Sequence, residues 1–184
     1  WRANATIGRA IRLMMQNAGL SRARIEAVLP EVMRRAPRYY RRRCPDLRAK
    51  VCPGVPAVLQ MLRRRRVVCG LVTGNLRRIG WRKVERAGLR SHFRLGAFSD
   101  MGPTRATLAG LARREAHRRG YVPASAPVVL IGDTPNDIEA ARANGLLCVA
   151  VATGVYPAEQ LAPHRPDILL EDLRGLRWEH LAQA

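Results

Sequence analysis

Residues 128–145, VVLIGDTPNDIEAARANG, constrain the fold more than any other stretch of this chain. The apolar run 128–131 predicts a buried strand that ends at Gly132-Asp133. A helix is expected to begin at once, with Thr134 as its N-cap and Pro135 at its first position. Asp133 and Asp137 then stand at the carboxyl end of a strand and in the first turn of the next helix, the place where open α/β sheets bind ligands. Two hard oxygen ligands this close suit Mg²⁺, which takes one or two carboxylates and completes its shell with water and phosphate. Thr134 and Asp137 also have capping-box spacing, so Asp137 has a second reading as a helix cap. Asp133 is harder to explain that way. Beside a second acid it is repelled unless a cation or hydrogen bonds offset the charge.

The same alternation runs through most of the chain. Helices are expected at 55–62, 77–87, 103–119 and 138–143, and strands at 67–72, 95–98, 128–131, 147–152 and 168–170. Strands alternating with helices imply a parallel sheet with right-handed crossovers, an α/β fold. Residues 4–45 differ and read as all-helical. Ile7, Ala10, Ile11, Met14 and Met15 mark one apolar face, and Ile25, Val28, Leu29, Val32 and Met33 another, with Pro30 expected to break or kink the second helix. The character changes at Cys52-Pro53-Gly54. The length of 184 residues fits one domain, or one domain with a small insert.

The net charge of +19 invites a nucleic-acid reading. Lys50 and Lys83 are the only lysines, however, and the arginines spread over nearly every helix, which reads as a coding bias with solvated faces. Few aromatics are available for base stacking, and none interleaves with the densest run, Arg63 to Arg66. No run is long and apolar enough for a bilayer. Cys44, Cys52, Cys69 and Cys148 form no CxxC pair and read as reduced thiols of a cytoplasmic protein, Cys69 and Cys148 as buried small hydrophobes. The four histidines have no ligand spacing.

A second strand end mirrors the first. LVTGN (71–75) ends a strand at Thr73 and leads through Gly74 and Asn75 into a helix. A hydroxyl and free backbone N–H groups there suit an anion, although a plain capped turn has the same pattern. Together the two strand ends offer carboxylates for a cation and donors for a phosphate.

Strand-TGN followed by strand-GDTPND and a helix resembles the haloacid dehalogenase-like (HAD) hydrolase superfamily. PGVPAVLQML, GLVTGN, the AGL at 87–89, GDTPNDIEAARANG and VATG (151–154) resemble its phosphoglycolate phosphatase-like branch. The resemblance implies a small helical cap over residues 1–51 and a Rossmann-like core with a parallel sheet over 52–184. It implies that Thr73 binds the transferring phosphoryl group, helped by Gly74 and Asn75. Asp133 would hold Mg²⁺, and Asp137 would support the ion directly or through water. The substrate class would be a small phosphorylated metabolite.

Two departures stand out. The family's nucleophile is an aspartate in a DxD pattern at the end of the first, central core strand, and DxD occurs nowhere in this sequence. That segment is expected to lie outside the chain, leaving the strands that end at Thr73 and Asp133 without their shared neighbour and this chain alone inactive and poorly stable. The Lys-Pro expected within residues 100–105 is also absent. Arg105 is the nearest substitute, with a surface arginine as its alternative reading, and Lys83 lies mid-helix, a poor candidate. The competing functional readings are an inactive remnant or binding protein on this fold, and a basic nucleic-acid-binding module.

Overall fold

The computed structural model describes residues 7–182. Two helices come first, α1 (Ile7–Asn17) and α2 (Arg22–Arg43), joined by a turn through Gly19 at φ +82°. They pack together over Ala10, Ile25 and Leu29, which are buried. Met14 is exposed, so the apolar face of α1 is narrower than its periodicity indicates. The helical start expected at residues 4–6 lies outside the described residues.

Pro30 does not break α2, which runs unbroken through both Pro30 and Pro37. Each proline removes one helical N–H, but Pro30 and Glu26, one turn earlier, both face solvent, so the freed carbonyl is not buried. Ile25 and Leu29, on the other side, stay packed.

From α3 (Val55–Arg64) onward the chain alternates: β1 (Cys69–Thr73), α4 (Arg77–Arg86), β2 (Phe93–Phe98), α5 (Arg105–Arg118), β3 (Val129–Gly132), α6 (Pro135–Ala143), β4 (Leu147–Val151), the short α7 (Ala158–Leu161), β5 (Ile168–Leu170) and α8 (Trp178–Leu181). Gly54, at φ +83°, starts α3, and a Cβ there would run into the backbone of Leu173 and Arg174. β1 starts later than the expected residue 67. Arg66 adopts a left-handed φ of 57°, and the Val67 N–H closes α3 on the Leu62 carbonyl at 3.0 Å, so it cannot enter a ladder.

All strand pairs are parallel. The strands form two separate sheets, β1-β2 and β3-β4-β5. β4 is the most buried strand, and its side chains alternate between two cores. Cys148 and Ala150 face Ala109, Ile138, Ala140 and Ala141 of α5 and α6. Val149 and Val151 face Val58 and Leu62 of α3 with Leu176 and Leu181. Helices therefore cover both faces of this sheet, as parallel strands require. Cys69 is only partly buried, unlike Cys148.

Helix α5 spans the division. It packs on β1 and β2 and also on α6. β1 and β3 do not pair with each other among the described residues, and their carboxyl ends carry Thr73 and Asp133.

Candidate active site

Thr73 is the last residue of β1, and the chain turns back on it. The backbone N–H of Asn75 donates to Thr73 Oγ1 at 3.2 Å, and Asn75 Nδ2 donates to the same oxygen at 2.8 Å. Asn75 Oδ1 accepts a hydrogen bond from Lys83 Nζ at 3.0 Å. The carbonyl of Gly74 accepts from the N–H of Ile7, so α1 begins against this loop. On its other flank, Ser99 after β2 donates its N–H to the Asn75 carbonyl at 3.1 Å.

Asp133 follows β3 directly and its carboxyl is partly buried. Its pKa lies above the usual carboxylate range. Burial is the largest cause and the neighbouring Asp137 charge the next, opposed by a backbone hydrogen bond and by Arg105. Asp137 is 7% exposed, the one charged residue that is buried among those described. Its Oδ2 accepts from the Thr134 hydroxyl at 2.7 Å and from the Thr134 N–H at 3.2 Å, the Asp137 half of the capping contact that its spacing suggested. Its Oδ1 pairs with Arg105 Nε at 3.0 Å.

Arg105 is thus no surface arginine. It opens α5, with Thr104 as N-cap, and only 22% of its side chain is exposed. Its Nη1 donates to the Val72 carbonyl at 3.0 Å. One guanidinium therefore joins the free side of β1 to the first turn of α6. It satisfies a strand carbonyl and a buried carboxylate at once.

The structure brings Asp133, Asp137 and Arg105 together, and Arg105 reaches across to the strand that ends in Thr73. Lys83, mid-helix in α4, is a poor candidate by sequence. Two helical turns after Asn75 it folds back onto that residue. One signal for it lay in the sequence: it is one of two lysines among 33 basic residues. Gly132 and Gly154 are further supports. A Cβ on Gly132 would run into Asp137, and one on Gly154 would run into Asp133. Gly154→Ala is therefore expected to displace the Asp133 carboxylate and weaken divalent-cation binding about tenfold, with a stability loss of about 1–2 kcal/mol from overpacking. Mn²⁺ titration and thermal unfolding check this.

Among the described residues no three His, Cys, Asp or Glu side chains gather as a metal cluster. The donor set is the two carboxylates. Two acids held this close repel each other, and a hard divalent cation relieves that repulsion, so the residues fit Mg²⁺. Both Asp137 oxygens already have partners, Oδ2 in Thr134 and Oδ1 in Arg105.

A HAD-hydrolase-like family model matches residues 106–176. The chain is 38% identical over 120 residues to a phosphoglycolate phosphatase of Synechococcus elongatus, covering 65% of this chain and 54% of that protein. It is 32% identical over 111 residues to a phosphoglycolate phosphatase of Chromobacterium violaceum, covering 60% and 49%. The chain spans about half the length of these curated relatives. In fold it is similar to CbbY from Rhodobacter sphaeroides, crystallised in complex with phosphate, with a TM-score of 0.64, 22% identity and coverage of 84% and 68%. Parallel strands layered with helices, GDTPND closing β3, the family match over residues 106–176 and these relatives agree: the chain is similar to HAD-like hydrolases, phosphoglycolate phosphatases among them.

Proposed function

We propose that this chain forms the phosphate- and metal-binding part of a Mg²⁺-dependent phosphatase acting on a small phosphomonoester. The observation that carries the reading is the convergence of donors, a cation and two carboxylates at the carboxyl ends of β1 and β3. The nearest substrate class is phosphoglycolate-like, as the names of the curated relatives suggest. The attacking aspartate comes from a segment outside these residues, and residues 1–51 act as a cap. Four free cysteines accord with a cytoplasmic protein.

In this reading the Thr73 hydroxyl and the backbone at Gly74 and Asn75 bind the non-bridging phosphoryl oxygens. Arg105 holds Asp137 in place and adds positive charge beside the transferring group. Asp133 holds Mg²⁺, which when bound neutralises charge building on the phosphoryl oxygens. The aspartate displaces the alcohol to give an aspartyl-phosphate, and water then releases inorganic phosphate, so that one hard step becomes two. The cap excludes bulk water meanwhile.

Asp133→Asn tests the metal assignment. Asp133 holds its proton more tightly folded than unfolded. Between its ordinary and raised values the folded state binds the extra proton, so stability falls as pH climbs through that window. At neutral pH the charged carboxylate therefore opposes folding. The variant is expected to lose that slope and to melt about 2 °C higher without metal, a gain kept small by solvent screening. The rise in melting temperature that Mg²⁺ gives the parent should disappear. An unchanged response to Mg²⁺ removes Asp133 as the ligand.

A further inference from the structure

We propose that Lys83 is a positioning residue that fixes the hydrogen-bond polarity of the Thr73 loop, through Asn75, so that Thr73 can only donate to an anion. The inference rests on the phosphate-binding reading of that loop and assigns the residue that sets it.

An ammonium has three donors and no acceptor. Lys83 Nζ therefore requires the carbonyl oxygen of the Asn75 side chain, which it meets at 3.0 Å. That choice turns Asn75 Nδ2 toward Thr73 Oγ1, at 2.8 Å. The Asn75 backbone N–H reaches the same oxygen at 3.2 Å. A threonine hydroxyl has two lone pairs and one proton. With both lone pairs taken by Asn75, the hydroxyl has only its proton to offer. It can donate to a phosphoryl oxygen and can no longer turn round to accept.

Without the lysine, the Asn75 amide has no reason to prefer this orientation. Flipped, it would present Oδ1 to Thr73, which would spend its proton on Asn75.

The setting of Lys83 supports a dedicated role. It is partly buried, and burial holds its pKa below the usual lysine value. Among the described residues no carboxylate forms an ion pair with it. Its ammonium also lies 5.8 Å from the Tyr40 ring centroid, near the end of α2. An ammonium with no carboxylate partner among the described residues and aimed at a side-chain amide is placed to orient that amide.

The test is inorganic phosphate binding by the chain, measured by calorimetry at low and high salt, with the Asn75 side-chain amide followed by NMR. Lys83→Met is expected to weaken phosphate binding about tenfold at both salt concentrations, and to shift the Asn75 amide signals. Lys83→Arg keeps a donor-only partner and should stay within about threefold of the parent. Asn75→Asp is a second variant that preserves the Lys83 contact but cannot donate from its side chain, so it should fold and still lose phosphate affinity at high salt. Parent-like affinity in Lys83→Met or in Asn75→Asp overturns the relay and leaves the phosphatase reading intact. A Lys83→Met defect seen only at low salt is a general charge effect and also overturns it. A parent that binds no phosphate overturns the reading of the Thr73 loop, and the relay with it.

Discussion

Arg105→Ala is expected to lower the stability of this chain by about 3 kcal/mol, since removing one partner of a buried ion pair leaves the other uncompensated. Asp137 would keep its Thr134 contacts but lose its counter-charge at 7% exposure. The Val72 carbonyl would lose its partner as well. Chemical denaturation measures the loss. Arg105→Lys separates the two roles, because an ammonium is a point charge and cannot span Nε to Nη1 as a planar fork does. It should recover the pairing with Asp137 but not both contacts. A double-mutant cycle with Asp137→Asn should give a coupling above about 1 kcal/mol. In a protein supplied with the nucleophilic aspartate, Arg105→Ala should lower turnover by about two orders of magnitude or more. An unchanged rate would confine Arg105 to holding the fold.

Much of this site was legible because a few residues have strong local physics. Thr134-Pro135 dictates a helix start, and α6 begins at Pro135. Asp137 three residues beyond Thr134 has capping spacing, and its carboxylate accepts from the Thr134 N–H and hydroxyl. The apolar runs at 147–152 and 168–170 gave β4 and β5 to within one residue. What is less legible depends on how elements fold back on one another. Lys83 looked idle because nothing local shows that α4 folds it back onto Asn75. Gly154 shows its purpose only when β4 carries it next to Asp133. The start of β1 was misplaced because Val67 has strand propensity, yet its N–H is spent on closing α3. The unbroken α2 makes the same point. Proline has a local cost, but packing against α1 and the solvent-facing position of Pro30 outweigh it.

The largest expected effect comes from supplying a strand between β1 and β3. Among the described residues both strands pair on one side only, β1 with β2 and β3 with β4, and Arg105 links Val72 of β1 to Asp137 after β3. Unpaired strand edges leave backbone donors and acceptors without partners. A parallel strand inserted there would satisfy both edges and merge the two sheets. Ending in DxD, it would set an aspartate between Thr73 and Asp133, within reach of Arg105. A protein in which such an apolar strand precedes this chain is expected to melt at least 10 °C above the 184-residue chain, since several ladder hydrogen bonds at about 1 kcal/mol each, with accompanying apolar burial, are gained together. It should also release inorganic phosphate from a phosphomonoester with Mg²⁺, whereas the chain alone should give no release above background. Replacing the first aspartate of the added DxD with asparagine should abolish turnover and keep most of the gain in stability, because the backbone pairing is untouched. Turnover by the chain alone at the rate of the joined protein would show that the nucleophile lies among these residues. Stability without turnover in the joined protein would make the fold a binding scaffold.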